Sequence, residues 1–111
     1  MNELLSFQRL DVYQAARALA KGVHDARIKD AELRDQATRA AKSVFLGPCE
    51  GLPSDSAGVR RRHFEIANGS LHEVIGAVDL ADAIGAVPPK IADDLLALAA
   101  RIKRMLRGLT R

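Results

Sequence analysis

The feature that most constrains the fold is the stretch of residues 64–85, because its side chains form two helical stripes instead of one. The first stripe is apolar and consists of Phe64, Ala67, Leu71, Val74, Val78 and Ala81. The second includes two polar residues and consists of Ile66, Ser70, Glu73, Ala77, Leu80 and Ile84. Both advance by three and four residues, the spacing of one face of an α-helix. Such a helix is either surrounded by neighbours or packs inside its own subunit on one side and against another subunit on the other.

Small residues on this helix predict that neighbouring backbones approach it closely. They are Gly69, Ser70, Gly76 and Ala77. Three further segments carry a helical stripe, and no segment shows the alternation of a strand, so the fold class is all-α. The predicted helices cover residues 12–28, 31–46, 57–84 and 89–108. Their mostly short connections predict an up-down-up-down four-helix bundle that forms a single domain over residues 1–111.

Polar and special residues mark the ends of these helices. Asp11 and Asp30 are the predicted N-caps of the first two helices, and Gly85 is the predicted stop of the third. The third helix is predicted to start at one of three capping residues, which are Ser54, Asp55 and Ser56. Pro88 and Pro89 open the fourth helix, where a first-turn proline is tolerated.

The pair Gly47-Pro48 interrupts the pattern of the second helix. Proline has no amide hydrogen and disfavours helical conformation in the residue before it. We therefore expect the second helix to end or kink at this pair. The following segment, residues 51–58, contains turn-forming residues throughout and is predicted to be the one longer loop.

Composition narrows the class of protein. The chain has 111 residues, of which 48% are hydrophobic and 4% aromatic, so its core must be built from Ala, Leu, Val and Ile. No apolar run is long enough to span a membrane, and the first ten residues do not resemble a signal peptide. The single cysteine, Cys49, cannot form an internal disulfide. Together these features predict a cytoplasmic protein.

Basic residues are concentrated in two places, and they are the candidate nucleic-acid-binding residues. The net charge is only +3, so their distribution matters more than their sum. They are Arg60, Arg61, Arg62, Arg101, Lys103, Arg104, Arg107 and Arg111. In an antiparallel bundle the start of the third helix lies beside the end of the fourth, so the two clusters are predicted to form one patch. The alternative is that these residues are solvated and keep the protein soluble.

Several polar residues fall beside the apolar stripes. They are Gln36, Arg39, Ser43, Glu50, Ser70 and Glu73. Gln36, Arg39 and Ser43 share one helix face because of their spacing. A partly buried Glu73 would need a partner, because an unpaired buried carboxylate is very costly, and Arg39 is the predicted partner. The set is interpreted as a structural network, with ligand or RNA contact and plain surface as the alternatives.

These residues also carry a family resemblance. The matching motifs are Phe7-x-x-Leu10-x-Val12-Tyr13 with Ala16, Leu33-x-x-Gln36-x-x-Arg39-Ala40-x-x-Ser43-Val44, Glu50-Gly51, Phe64-x-Ile66-Ala67-Asn68-Gly69-Ser70-x-x-Glu73, and Met105-Leu106. With these motifs the chain resembles the four-helix-bundle family of 23S ribosomal RNA intervening-sequence proteins. That family is distantly related to the accessory variability protein of diversity-generating retroelements. The family usually reads Asn-Ile-Ala-Glu-Gly where this chain reads Gly47-Pro48-Cys49-Glu50-Gly51.

The resemblance implies a left-handed bundle that assembles into a ring, a pentamer, and associates with nucleic acid or with an enzyme that acts on nucleic acid. It implies no catalytic activity. A ring of five would raise the charge from +3 for one chain to about +15. Such a charge suits a phosphate backbone, and the scarcity of aromatic residues argues against base stacking.

Residues for metal or covalent chemistry are sparse. The histidines His24, His63 and His72 lack the spacing of a helical zinc site, and no second cysteine accompanies Cys49. No metal or cofactor is expected. A nucleophilic Cys49 would need a histidine such as His63, and a structural thiol is the favoured interpretation. The sequence thus predicts a non-enzymatic accessory protein that binds structured RNA or a nucleic-acid enzyme. The alternative is an oligomeric interaction bundle without nucleic-acid binding.

Overall fold

A computed structural model describes residues 10–110, and all regular secondary structure in this range is helical. The helices are α1 (Asp11–Ala26), α2 (Ala31–Gly51), α3 (Ala57–Ala83) and α4 (Pro89–Leu109). The prediction of an all-α chain with four helices is confirmed. Within this range no helix is both long enough and apolar enough to cross a membrane. Two residues of the sequence analysis, Phe7 and Arg111, lie outside the described residues.

Side-chain caps fix the starts of α2 and α3. Asp30 Oδ1 accepts a hydrogen bond from the amide of Leu33 at 2.9 Å. Ser56 Oγ accepts one from the amide of Val59 at 3.2 Å. Each cap satisfies an amide that the first helical turn leaves without a partner. The prediction of Asp30 as a cap is confirmed, and Ser56 is the capping residue among the three that were predicted.

Helix α1 begins and ends differently from its prediction. Asp11 is the first helical residue, and the N-cap is Leu10, whose side chain makes no capping bond. Asp11 is therefore not the cap, although its carboxylate still lies at the positive end of the helix dipole. Arg27 has a φ of 47°, and this left-handed conformation ends α1 two residues before the predicted position.

The two short connections are joined to each other by a backbone hydrogen bond. Lys29 N in the α1–α2 connection donates to Ala86 O in the α3–α4 connection at 2.9 Å. Gly85 has a φ of +74°, which residues with a side chain rarely adopt. The next amide, that of Ala86, donates to Ala81 O at 2.8 Å and closes the end of α3. Gly85 is thus the stop that the sequence predicted.

Helix α2 continues through Gly47 and Pro48, so the predicted end at residue 46 is wrong, and the alternative of a kink at this pair stays a prediction. Pro48 lacks the amide that would bond to the preceding turn, but its carbonyl accepts a hydrogen bond from Leu52 N at 2.9 Å. Gly47 is buried against α3: a Cβ at this position would lie 2.7 Å from Ala67 Cβ. Packing of the extended helix on α3 offsets the missing hydrogen bond, and the local proline rule does not include this contribution.

One hydrophobic core is built from all four helices. The most extensive contact joins α2 and α3, and α1 with α2, α3 with α4, and α1 with α4 also touch. Every residue of the first α3 stripe is buried. In the second stripe Ala77 is buried, whereas Ile66, Leu80 and Ile84 are 50%, 51% and 55% exposed. Helix α3 therefore packs inside its subunit on one side only and leaves most of its second stripe open.

The close backbone approach occurs at other glycines than those predicted. A Cβ at Gly69 or Gly76 would meet no atom within 4 Å, so neither glycine admits a neighbour within the subunit. A Cβ at Gly47 would lie 2.8 Å from His63 O as well as against Ala67. Because backbone atoms cannot move aside as a flexible side chain can, Gly47 is the residue that lets α2 and α3 pack closely.

We predict that Gly47→Ala destabilises the protein, because the new methyl group collides with α3. The expected loss in the free energy of unfolding is about 1–3 kcal/mol, the usual effect of overpacking. The matched control is Gly76→Ala, whose methyl group enters open space and should raise stability by about 0.5–1 kcal/mol. Urea unfolding followed by far-UV circular dichroism at one protein concentration measures both. A Gly47→Ala variant as stable as Gly76→Ala would contradict the prediction.

Candidate nucleic-acid interface

The three consecutive arginines at the start of α3 point in different directions. Arg60 is partly buried, and its Nη1 donates to Ser54 O at 2.6 Å in the α2–α3 loop. Arg61 is exposed, and its Nε donates to Glu65 Oε1 at 3.0 Å. Arg62 is exposed. Consecutive residues turn by about 100° around a helix axis, so these arginines leave α3 in different directions. Arg60 binds the α2–α3 loop, and Arg61 binds Glu65 on the surface of α3.

Two basic residues of α4 share a depression with α3. Lys103 and Arg107, four residues apart, line it together with Glu65 and Asn68 of α3. Leu106 forms part of the same lining, and Thr110 follows at the end of α4. We call this depression the α3–α4 groove. It joins the two helix ends that the sequence analysis expected to meet.

The other basic residues of α4 do not line this groove. Residues one and two positions apart turn by about 100° and 200° around a helix. Arg101 therefore projects from another side of α4 than Lys103, whereas Arg104 shares a face with Arg107. Both Arg101 and Arg104 are exposed, and neither lines the groove. Arg111 lies outside the described residues. Of the eight predicted residues, Lys103 and Arg107 line the groove, and Arg61 adjoins it through Glu65.

The charges of the groove leave two cations available. Glu65 is the acidic residue of the lining, and its carboxylate is held by Arg61. Lys103 and Arg107 form no ion pair with any residue in the range 10–110. Thr110 Oγ1 donates to the main-chain carbonyl of Arg107 at 3.2 Å. This bond does not involve the guanidinium group of Arg107. Two exposed cations beside the amide of Asn68 can receive an anionic group such as a phosphate.

Sequence reasoning missed the neutral partners in this groove. Asn68 and Thr110 are polar but uncharged, so neither stood out in a charge pattern. Glu65 was also missed, although an arginine four residues earlier on a helix is a recognisable signal for an ion pair.

The predicted polar network lies along a second depression, between α2 and α3. Gln36, Arg39 and Ser43 from α2 line it with Ser70 and Glu73 from α3. Its centre is a hydrogen bond of 2.7 Å between the Oγ atoms of Ser43 and Ser70, both partly buried. Glu50, the sixth residue of the set, lines the adjoining depression with Arg39 and Ser43. The structure therefore places all six predicted residues along one α2–α3 surface.

The predicted ion pair between Glu73 and Arg39 does not form. Both side chains are exposed, and no residue within the described range is both polar or charged and buried. Arg39 Nε instead donates to Asp35 O on its own helix at 3.4 Å. The prediction assumed that Glu73 is partly buried, and the open second stripe of α3 removes that premise. Water satisfies an exposed carboxylate without an ion-pair partner.

A histidine contacts a different acidic residue of this surface, Glu50. His63 Nδ1 lies 3.3 Å from Glu50 Oε2, and the histidine side chain is 27% exposed. His63 is therefore a partner of Glu50 and not of Cys49, which is a partly buried free thiol. Across residues 10–110 there is no group of three or more His, Cys, Asp or Glu side chains that could hold a metal ion.

The serine pair yields a test of the network. We predict that Ser43→Ala and Ser70→Ala each lower the free energy of unfolding by about 0.5–1.5 kcal/mol, since each strands a hydroxyl group. The double variant should lose little more stability than either single variant, because it contains no hydroxyl group that has lost its hydrogen-bond partner. A double-mutant cycle by urea unfolding should give a coupling energy of about 0.5–1 kcal/mol. Fully additive losses would show that the two hydroxyl groups act independently.

Comparison with known proteins identifies the family. A search of curated proteins gave no match to this chain. The sequence does match the family model described as "23S rRNA-intervening sequence protein" over residues 8–108, which is nearly its whole length. This agrees with the motifs along α2 and α3, whose polar residues line the surface described above. The chain belongs to the 23S rRNA-intervening sequence protein family.

Proposed function

We propose that this protein is a non-enzymatic accessory factor that assembles with copies of itself and binds structured RNA through the α3–α4 groove. The family name refers to intervening sequences of 23S rRNA, and an enzyme that acts on nucleic acid is the other ligand that the resemblance implies. The observation that carries the proposal is the groove itself. Lys103 and Arg107 are exposed, free of ion pairs with the described residues, and flanked by the amide of Asn68.

Recognition should follow the phosphate backbone and depend little on base sequence. The described aromatic residues are Tyr13, Phe45 and Phe64, and none of them lines the groove. Tyr13 and Phe45 contact each other with ring centroids 4.9 Å apart, and Phe64 is buried. Without an aromatic platform the bases have nothing to stack on. Contacts to phosphates fix position and supply affinity, but they carry no sequence information directly.

Self-assembly into a ring, a pentamer, is the second part of the proposal. It rests on the resemblance and is supported by the open second stripe of α3, where Ile66, Leu80 and Ile84 are half-exposed. Assembly would repeat the groove around the ring and multiply a modest net charge of +3 per chain. Repeated weak sites bind an extended ligand far more tightly than one site does.

The arrangement of the helices enters the proposal as an up-down-up-down bundle. The bond between Lys29 N and Ala86 O supports it, since it brings the α1–α2 and α3–α4 connections to the same end. The contact between α1 and α4 supports a closed ring of four helices. The left-handed sense, the cytoplasmic location and the relation to the accessory variability protein of diversity-generating retroelements stay predictions.

A second candidate function is an interaction bundle that binds no nucleic acid. The same exposed apolar residues of α3 favour it, because a surface of this kind suits protein contacts. In this case Lys103 and Arg107 would serve solubility alone, and RNA affinity would be absent even where electrostatic attraction is strongest.

We predict that Lys103→Gln/Arg107→Gln weakens RNA binding, because it removes both free cations of the groove. Fluorescence anisotropy of a labelled, structured RNA across a salt series measures the affinity. The unmodified protein should show affinity that falls steeply with salt. The double variant should bind about 10-fold more weakly at low salt, and the slope of log affinity against log salt should decrease by about two.

The matched control is Arg17→Gln/Lys29→Gln, which removes the same charge from exposed positions on α1 and the α1–α2 connection. This control should weaken RNA affinity by less than about 3-fold. Charges outside the groove attract the RNA only at long range, and salt screens that attraction. Equal losses in both double variants would show that net charge acts and the groove does not. No binding by the unmodified protein at low salt would overturn the RNA proposal and favour the interaction bundle.

A further inference from the structure

Large apolar side chains are unevenly distributed over the surface of this protein. Seven of those described are more than about two-fifths exposed, and five belong to α2, to α3 or to the C-cap of α3: Leu46, Val59, Ile66, Leu80 and Ile84. The other two, Leu10 and Leu109, lie at the start of α1 and the end of α4. An exposed leucine by itself is ordinary, but a cluster on one face of a protein marks an interaction surface.

The five residues lie on one face. Val59 and Ile66 are seven residues apart, and Ile66 and Ile84 are eighteen apart, which are two and five turns of an α-helix. Ile66 also lines a depression together with Leu46 of α2. We call this surface the α2–α3 face. It includes the Ser43–Ser70 hydrogen bond and lies on the side of α3 that does not form the subunit core.

The outer surface of α2 and α3 is long and wide enough to hold a stable interface. From Val59 to Ile84 the helix rises about 38 Å, and two helices side by side are about 20 Å wide. The upper bound on the area is therefore about 750 Å², of the order of the ~800 Å² that each partner contributes to a specific protein–protein interface.

The charges on the face are of both signs. Arg39 and Lys42 are exposed beside Leu46, and Glu50 lines the same depression. Glu73 is exposed one depression away and has no ion-pair partner among residues 10–110. Acids among apolar side chains disfavour a phosphate backbone and an anionic lipid surface. A partner with charges of both signs and little net charge fits better, and another copy of this chain, at +3, meets that description.

From these observations we propose that the α2–α3 face is the surface by which the protein binds a second copy of itself. This inference rests on the self-assembly in the proposed function and names the residues that mediate it. Burial of Ile66, Leu80 and Ile84 against a neighbour would complete the second stripe of α3. The exposed charges of Arg39 and Glu73, which do not pair within the subunit, would then meet charges of the neighbour.

The test is the oligomeric state of Ile66→Ser/Leu80→Ser. Sedimentation velocity across a range of protein concentrations measures assembly, and far-UV circular dichroism verifies that the helices remain. Since both residues are half-exposed, the subunit should fold as before. Losing their burial should raise the dissociation constant of assembly at least about 10-fold. The control is Leu10→Ser/Leu109→Ser, which changes two side chains of similar exposure, 45% and 43%, off the face and should leave assembly unchanged.

A second variant, Glu73→Arg, keeps the proposal testable if the serine variant loses helix content. Position 73 is exposed, and arginine is a good helix former, so this variant retains the fold. It should also weaken assembly. If the unmodified protein is monomeric at every concentration, both the self-assembly and this surface are overturned. If it assembles and neither face variant weakens the assembly, or if the control weakens it equally, only the α2–α3 face is overturned.

Discussion

The close contact of α2 with α3 at Gly47 is the constraint on which the rest of the fold depends. There is no room for a side chain between Gly47 and the backbone of α3, where His63 O and Ala67 Cβ would lie within 2.8 Å of an added methyl group. This contact holds α2 helical through Pro48 and brings together the two helices that share the largest interface. Small residues replace the aromatic packing that a chain with so few aromatic residues cannot provide.

Helix α3 contributes to three surfaces of the molecule. Its first stripe forms the core, its flank toward α4 forms the basic groove with Asn68 and Glu65, and its flank toward α2 forms the apolar face with Ile66 and Ser70. The proposed RNA contact and the proposed contact between copies are therefore on opposite sides of one rigid helix. Assembly through one flank leaves the other accessible, and the orientation of each groove in an assembly is fixed by the orientation of α3.

The sequence allowed most of the fold to be predicted because its signals are local. Helical spacing, the cap at Asp30 and the left-handed glycine at position 85 act within one or two turns of the chain, and each was recognised. The length of α2 was not, because Pro48 breaks a local rule while the compensating contact comes from α3, which begins several residues later. Whether a helix continues through a proline depends on tertiary packing, which no local rule includes.

The candidate site was less predictable for a related reason. Helical spacing placed Ser43 and Ser70 correctly beside the core, and they bond to each other. The pairing of Glu73 with Arg39 failed because it required burial, and burial depends on which neighbours surround the second stripe of α3. Charge counting identified Lys103 and Arg107 but could not separate them from Arg101 and Arg104, since only the position of α3 decides which side of α4 forms a groove.

The backbone bond from Lys29 to Ala86 has an evolutionary consequence for chain length. Both short connections are tied to each other, so adding or removing a residue in either one would displace the other and break a bond between main-chain atoms. The loop between α2 and α3 has no such tie to a second connection among the described residues. Relatives that differ in length within the bundle should therefore carry their insertions between α2 and α3, near the end of the molecule where Arg60 anchors the loop through Ser54.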